Sequence, residues 1–536
     1  MSALLLLETL EPLINKFSPQ DVEERSRLLY ALSREKLPHS KRLKKYQDVL
    51  LFMAAYPANN EEREAVLAEL GRMRETILHL SKVKKSSVDE EGLMFSLLTT
   101  TFSYDLLKWA ARELPGQFRF DSFDNNEALP LLFRHTLPDT IKEILTEDGM
   151  NDLKLMKRLF GKKKYFLPGL LREASELDHL PTLRDQLFDA LGMNCTFHPD
   201  DHADCIAFNR LEHSPVFYHS DLLKKIDPPE WLNKKLPSPA KLDTNQKKDL
   251  QRVIRMSLLL LGRETEPSTW MDEQSIRIFH LERGVSVCIY GMTPDHRQPL
   301  ESYFGFTAFK NGYPMSYGGA WLFGKRALFG MNIFEWFRGG ESAFVFAQLL
   351  RVYRQFFGID YFEVEPYQYG KDNPEGIQSG AFWFYHRFGF RLLNKQLHDL
   401  SEEEAQKIAA QKGYRTSPAV LKKFTSSNIA LNLSGKNEIP LAPASIRERI
   451  VELIRDRFKG DSSLAKKILV KEFQKLTGIK SKNTLGKKIV ADLALFILSG
   501  NDTRYYASKK KDLQKLVTLK TTDESAYQSL LRKILK

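Results

Sequence analysis

Asn311-Gly312 sits between two strand-like runs, "ESYFGFTAFK" and "YPMSYGGAWLF", and this pair most narrows the folds open to the chain. Both positions of a two-residue hairpin turn need positive φ, which asparagine and glycine tolerate, so the flanking runs are expected to pair antiparallel. Other β-branched and aromatic runs surround them: "SIRIFHL" and "VSVCIYGM" before, joined across "ERG", and "RALFGMNIFEWF" after. The spacing predicts an antiparallel meander from about residue 275, with Gly318-Gly319 marking a bulge.

Arg338-Gly339-Gly340 ends the last of these runs. The next stretch, "ESAFVFAQLLRVYRQFFG", carries Val345, Leu349, Val352 and Phe356 at helical spacing, with Gln348, Arg351 and Gln355 on the other side and Gly358 as a stop. A strand delivered into a helix through glycines leaves bare N–H groups at a helix N-terminus, which suits an anion such as phosphate; a tight turn serving only close packing is the plainer alternative. "IDYFEVEPY" then reads as a strand, "NPEGIQSGAFWFYHRFG" as one helix capped by Asn373 and stopped by Gly389, and "FRLLN" as extended chain. Meander, joint, helix, strand, helix, strand predicts a compact α+β domain.

Residues 270 to 395, about a quarter of the chain, resemble the GNAT superfamily of N-acyltransferases. One likeness is Arg338-Gly339-Gly340-Glu341-Ser342-Ala343, set against the family's Arg/Gln-x-x-Gly-x-Gly/Ala loop. The other is "AFWFYHRFGF", which puts Ala381, Phe384, Tyr385, Gly389 and Phe390 at the places of Ala-x-x-Phe-Tyr-x-x-x-Gly-Phe. The resemblance implies a GNAT-like mixed sheet with flanking helices, acetyl-CoA or acyl-CoA as co-substrate, and transfer of the acyl group to an amine acceptor. It also implies that Arg338, Gly339, Gly340, Glu341, Ser342 and Ala343 form the pyrophosphate loop, that the amides of Ile333 and Phe334 polarise the thioester carbonyl, and that Tyr385 protonates the departing thiolate.

Glu335, Glu363 and Glu365 are each candidates for the base, the last two alternating on one strand face. His386, about 100° around the helix from Tyr385, is expected to point elsewhere. Glu341 stands at the loop's middle glycine position. A carboxylate about 5 Å from a phosphate costs roughly 3 kcal/mol per charge pair at an effective dielectric near 20, so its side chain is expected to turn away.

Around this domain, taken as 251–395, residues 1–250 read as a helical N-terminal region, 396–440 as a connector and 441–536 as a basic helical module. In the first, Asn60 is placed to cap a helix whose stripe is Val66, Leu70, Met73, Ile77 and Leu80. The connector opens on a Ser-x-x-Glu start at Ser401. The whole net charge of +12 lies in 441–536, which holds 22 basic and 10 acidic residues. A nucleic acid or an acidic partner is therefore expected there if anywhere, through Tyr505-Tyr506 and the lysines of 507–516; lysine-rich faces that merely meet water are the plainer reading.

Three cysteines are too few for a disulfide framework, which favours a cytoplasmic protein. Cys195, His198, His202 and Cys205 are of types that bind zinc, but their gaps of two, three and two residues match no standard spacing, and no metal is assigned. No apolar run approaches the roughly 20 residues of a membrane span, and the opening "MSALLLLETLEPLI" lacks the basic segment of a signal peptide. The expected function is thus acyl-CoA-dependent N-acyl transfer. The alternative, favoured by Glu341, is a non-catalytic interaction protein that keeps the fold and holds a partner through the basic module.

Overall fold

The computed structural model describes residues 2–37, 41–84, 92–125, 128–147, 150–199, 204–212, 214–436 and 438–535. Two compact units divide the chain: Met1–Asp221 with Lys248–Thr269 and Asn311–Pro314, and Leu222–Lys247 with Trp270–Lys310 and Met315–Lys536. No helix among the described residues is long and apolar enough to cross a membrane.

The first unit is mainly helical, and it also holds a small antiparallel sheet that the reading of a helical N-terminal region did not include. Its strands β1 (Leu98–Thr101), β2 (Phe118–Phe123) and β3 (Met193–Phe197) lie in the order β1-β3-β2. Met193, Cys195 and Phe197 alternate inward on the central strand and join a core with Phe120, Phe133 and Phe166. The helix Asn60–Lys84 buries Val66, Leu70, Met73 and Ile77 as its spacing predicts; the Leu80 side chain lies outside the described ones. Its cap is Asn59 rather than Asn60, because Asn59 Oδ1 accepts the Glu62 N–H at 2.8 Å.

The second unit is built on an eight-stranded mixed sheet with flanking helices. In chain order the strands are β4 (Arg277–His280), β5 (Val285–Tyr290), β6 (Ser302–Lys310), β7 (Tyr313–Phe323), β8 (Arg326–Ile333), β9 (Tyr361–Val364), β10 (Arg391–Leu392) and β11 (Ile429–Asn432). In space they lie β10-β11-β9-β8-β7-β6-β5-β4. The turn at Asn311 (φ +47°) and Gly312 (φ +87°) has the expected positive φ at both positions. The residues expected as a connector supply β11, which is inserted between β9 and β10. Their first helix spans Lys395–Ala410 and starts from Asn394, whose side chain accepts the Leu397 N–H. Ser401, expected at its start, is buried in its middle.

On the β8 side Gly318-Gly319 makes no bulge, since β7 and β8 stay in register from Ser316↔Ile333 to Phe323↔Arg326. There the glycines permit close approach. A Cβ on Gly318 would lie 2.1 Å from the Gly330 carbonyl oxygen and 2.8 Å from the Phe306 ring.

Helix Ser342–Phe357 covers one face of the sheet and is buried along most of its surface, with Gln348 and Arg351 of its polar side buried and Gln355 exposed. Segment Leu222–Lys247 closes over that side. Buried Arg351 donates to the carbonyls of Lys234 and Lys235 and to Glu282, and Gln355 donates to the carbonyls of Leu232 and Lys234. Helices of 441–536 share a core with the end of β7, in which Phe323 packs with Ile446, Phe496 and Tyr527. Tyr527 Oη donates to the Leu300 carbonyl at 2.8 Å and Gln528 Nε2 to the Gly324 carbonyl at 2.7 Å.

Gly318→Ala is expected to lower the urea midpoint of the full chain by the equivalent of about 3 kcal/mol, since two paired strands must move apart. Gly330→Ala, whose Cβ meets nothing nearer than Gln368 Nε2 at 3.5 Å, should cost less than about 1.5 kcal/mol. Equal midpoints for the two variants would contradict the close-approach account.

Candidate functional site

The site lies where β8 and β9 part. They pair in parallel over three residues, Arg326↔Tyr361, Ala327↔Phe362 and Leu328↔Glu363; β9 then ends at Val364 while β8 runs on to Ile333. Phe334 N–H donates to the Met315 carbonyl of β7 at 3.0 Å. Backbone direction alternates along an antiparallel ladder, so the N–H groups of Ile333 and Met331 point the other way, toward the side that β9 has left. Ile333 is therefore on the expected side, whereas the Phe334 amide is held by β7 and cannot polarise a carbonyl in this gap. Met331, two residues before Ile333, was missed, although the two-residue period of a strand assigns it to the same side.

Gln368, which no local pattern signals, reaches into this gap from the short turn Pro366–Tyr369. Its Oε1 accepts the Met331 N–H at 3.3 Å and the Tyr385 Oη at 3.2 Å. Tyr385 stands on helix Ala381–Arg387, which is separated from Pro374–Ser379 by Gly380 at φ +66°, so the expected single helix is two. The Tyr385 phenol is buried, and burial holds its pKa well above the usual phenol range, which keeps it a proton donor. His386 points elsewhere, with Nε2 3.0 Å from Glu402, and burial pushes its pKa down.

Beyond Ile333 the chain turns through Glu335–Phe337 and the joint into helix Ser342–Phe357. Gly339 has φ +83° and open space where a Cβ would stand. Glu341 is the N-cap residue, yet its side chain caps nothing. The carboxylate is fully buried and accepts from Lys310 Nζ at 2.6 Å, Arg283 Nε at 2.7 Å and the Leu223 N–H at 2.9 Å. It is thus turned into the protein, and its charge is spent on those three donors rather than on a ligand. The first-turn amides of Ser342 and Ala343 lie at the positive end of a 16-residue helix dipole, and that turn itself holds no acidic residue. Arg338, at the rim, is exposed and paired with Glu375.

The three candidate bases differ in their surroundings. Glu363 is buried between Arg326 and Asn428 Nδ2, the latter at 2.5 Å, and so is committed to an ion pair. Glu365 lies past the end of β9, exposed at the start of the next turn, and does not share a strand face with Glu363. Glu335 is exposed on the turn after β8.

In the first unit, Cys195 and Cys205 are buried and burial pushes each thiol up to about 12. His202 lies outside the described residues, among which no metal-holding cluster occurs. In the basic module, Tyr506 is part of the core rather than a surface contact, and Lys520 is buried with Glu524. Comparison with family models, curated proteins and solved structures finds no match for this chain.

Removing the buried carboxylate isolates the energetics of the joint. Glu341→Ala leaves Lys310 buried beside Arg283 and is expected to destabilise the protein by about 3–5 kcal/mol, read from the urea midpoint, whereas Lys310→Met with Glu341→Leu together should cost much less. The pH dependence has a definite sign. Burial lowers Lys310 from 10.5 to about 8 despite Glu341, so between these values the unfolded chain binds the extra proton. The Lys310 contribution to stability therefore rises with pH across that window and is lost as pH falls through 8. Lys310→Met should flatten this rise in unfolding curves taken from pH 7.5 to 10.5.

Proposed function

We propose that the protein is an acyl-CoA-dependent N-acyltransferase of GNAT type. The observation that carries this reading is the parting of β8 from β9, with the Met331 and Ile333 amides turned into the gap and a glycine joint at its end feeding a helix N-terminus free of side-chain capping. In mixed and parallel sheets ligands bind outside the carboxyl ends of parallel strands, and helix N-termini hold phosphate. The residues fit such a co-substrate: Gly339 leaves room for a diphosphate at the backbone, the Ser342 and Ala343 amides face it with positive dipole, and Glu341, which would repel it, is neutralised by Lys310 and Arg283.

The thioester supplies the activated acyl carbon. Transfer forms an amide C–N bond and breaks the C–S bond, and the proton lost by the amine is matched by one gained by sulfur. Met331 and Ile333 N–H would hold the acyl oxygen, and Tyr385, kept protonated by burial, would hold the proton destined for sulfur. Glu335 and Glu365, both exposed, remain the carboxylates free to relay a proton from the amine; Glu363 is not proposed for that role.

A second reading has its own support. Gln368 already satisfies both Met331 N–H and Tyr385 Oη, as expected if the chain keeps the fold for a non-catalytic partner-holding role.

Titration calorimetry with acetyl-CoA separates the two. Binding at micromolar to millimolar concentration is expected, and none up to millimolar would leave only the second reading. With an acceptor identified by mass spectrometry of acylated products, Tyr385→Phe should lower kcat by about 100-fold with little change in KM. An unchanged kcat would remove the proton-donor assignment while leaving the fold reading intact.

A further inference from the structure

We infer that Gln368 is an internal stand-in for the acyl carbonyl: its carboxamide oxygen occupies the place where a bound acyl arm puts its own carbonyl oxygen, and it must swing out for that arm to seat. This inference rests on the reading of the site as an acyl-CoA site. A carboxamide oxygen and a thioester oxygen are both sp² acceptors with two lone pairs, and Gln368 Oε1 uses both, taking one bond from a strand amide and one from a phenol. Met331 N–H is one of the amides proposed to hold the acyl oxygen and Tyr385 the donor proposed to face sulfur, so one of the chain's own side chains now engages two groups that an entering thioester needs.

The arrangement is also poised for exchange. At 3.3 and 3.2 Å both bonds are longer than the usual lengths of roughly 2.9 Å for N–H···O and 2.7 Å for O–H···O, so neither grips Gln368 tightly. Gln368 is half-buried, on a four-residue turn whose neighbours Glu365 and Tyr367 are exposed, so rotation about its side-chain bonds alone carries the carboxamide to water. Gly330 supplies the space on the other side, since a Cβ there would lie 3.5 Å from Gln368 Nε2. Once Gln368 leaves, Met331 N–H and the Tyr385 phenol have lost their acceptor, and an entering thioester restores both, its oxygen to the amide and its sulfur to the phenol. Gln368 therefore weakens binding of any ligand that enters the gap and leaves a ligand that stops at the joint unaffected.

Calorimetry on the full chain tests this with two ligands: acetyl-CoA, which has an acyl arm, and adenosine 3′,5′-bisphosphate, which has none. If Gln368 fills the position about nine-tenths of the time, Gln368→Ala tightens acetyl-CoA binding about tenfold, while bisphosphate affinity stays within about twofold. Gln368→Asn, one methylene shorter and still polar, should shift acetyl-CoA in the same direction; it guards against Gln368→Ala failing to fold. Equal acetyl-CoA affinity in wild type and both variants overturns the inference but leaves the acyl-CoA reading standing. A shift of both ligands together also overturns it, by showing general loosening. No acetyl-CoA binding by any of the three proteins removes the acyl-CoA reading and this inference with it.

Discussion

Among the described strands, β8 and β9 form the parallel pair of a sheet otherwise built from antiparallel neighbours, and much of the second unit follows from that pairing. A hairpin cannot join parallel strands, so the chain must cross back over a face of the sheet, and here it does so as helix Ser342–Phe357. The crossover begins where β8 ends, which brings a helix N-terminus, a glycine joint and the last amides of β8 to one end of the sheet. Because β9 is only four residues long, the pairing stops before β8 does. The gap is thus a direct product of unequal strand lengths.

Burying that crossover helix along most of its surface imposes a second requirement. Its polar residues lose water and must find partners within the protein. Arg351 finds backbone carbonyls in segment Leu222–Lys247, and Glu341 finds Lys310, Arg283 and an amide of the same segment. The result is that the negative charge nearest the joint is held inward by groups that the helix needs in any case. The same contacts that finish the core thereby set the electrostatic character of the helix start.

The legibility of this arrangement in the sequence depended on the range of the interaction. Asn311-Gly312, Gly358 and the apolar stripe of the crossover helix were readable because turn chemistry and periodicity are local. Gln348 and Arg351 read only as the side opposite the apolar stripe, and nothing local says that segment Leu222–Lys247 folds over them and buries them. β1 to β3 were lost among helical stripes because each is short, and β11 because its four residues acquire strand character only between β9 and β10. At the candidate site, Ile333 and Tyr385 were named through the family resemblance and the joint through its glycines. Gln368 was not, since its role comes from a contact 37 residues away with Met331. The carboxylates misled for a related reason: Arg326 and Asn428, which engage Glu363, come from distant positions.

The positive excess of the chain resides in helices whose apolar sides complete the packing around Phe323 and whose side chains bond backbone groups at 300, 301 and 324. Such a segment is no detachable appendage. Cutting it away strips cover from the rim of the β-structure, so charge-driven attraction and sheet integrity cannot be separated by truncation. Only exchange of exposed lysines, one by one, would alter the former while sparing the latter.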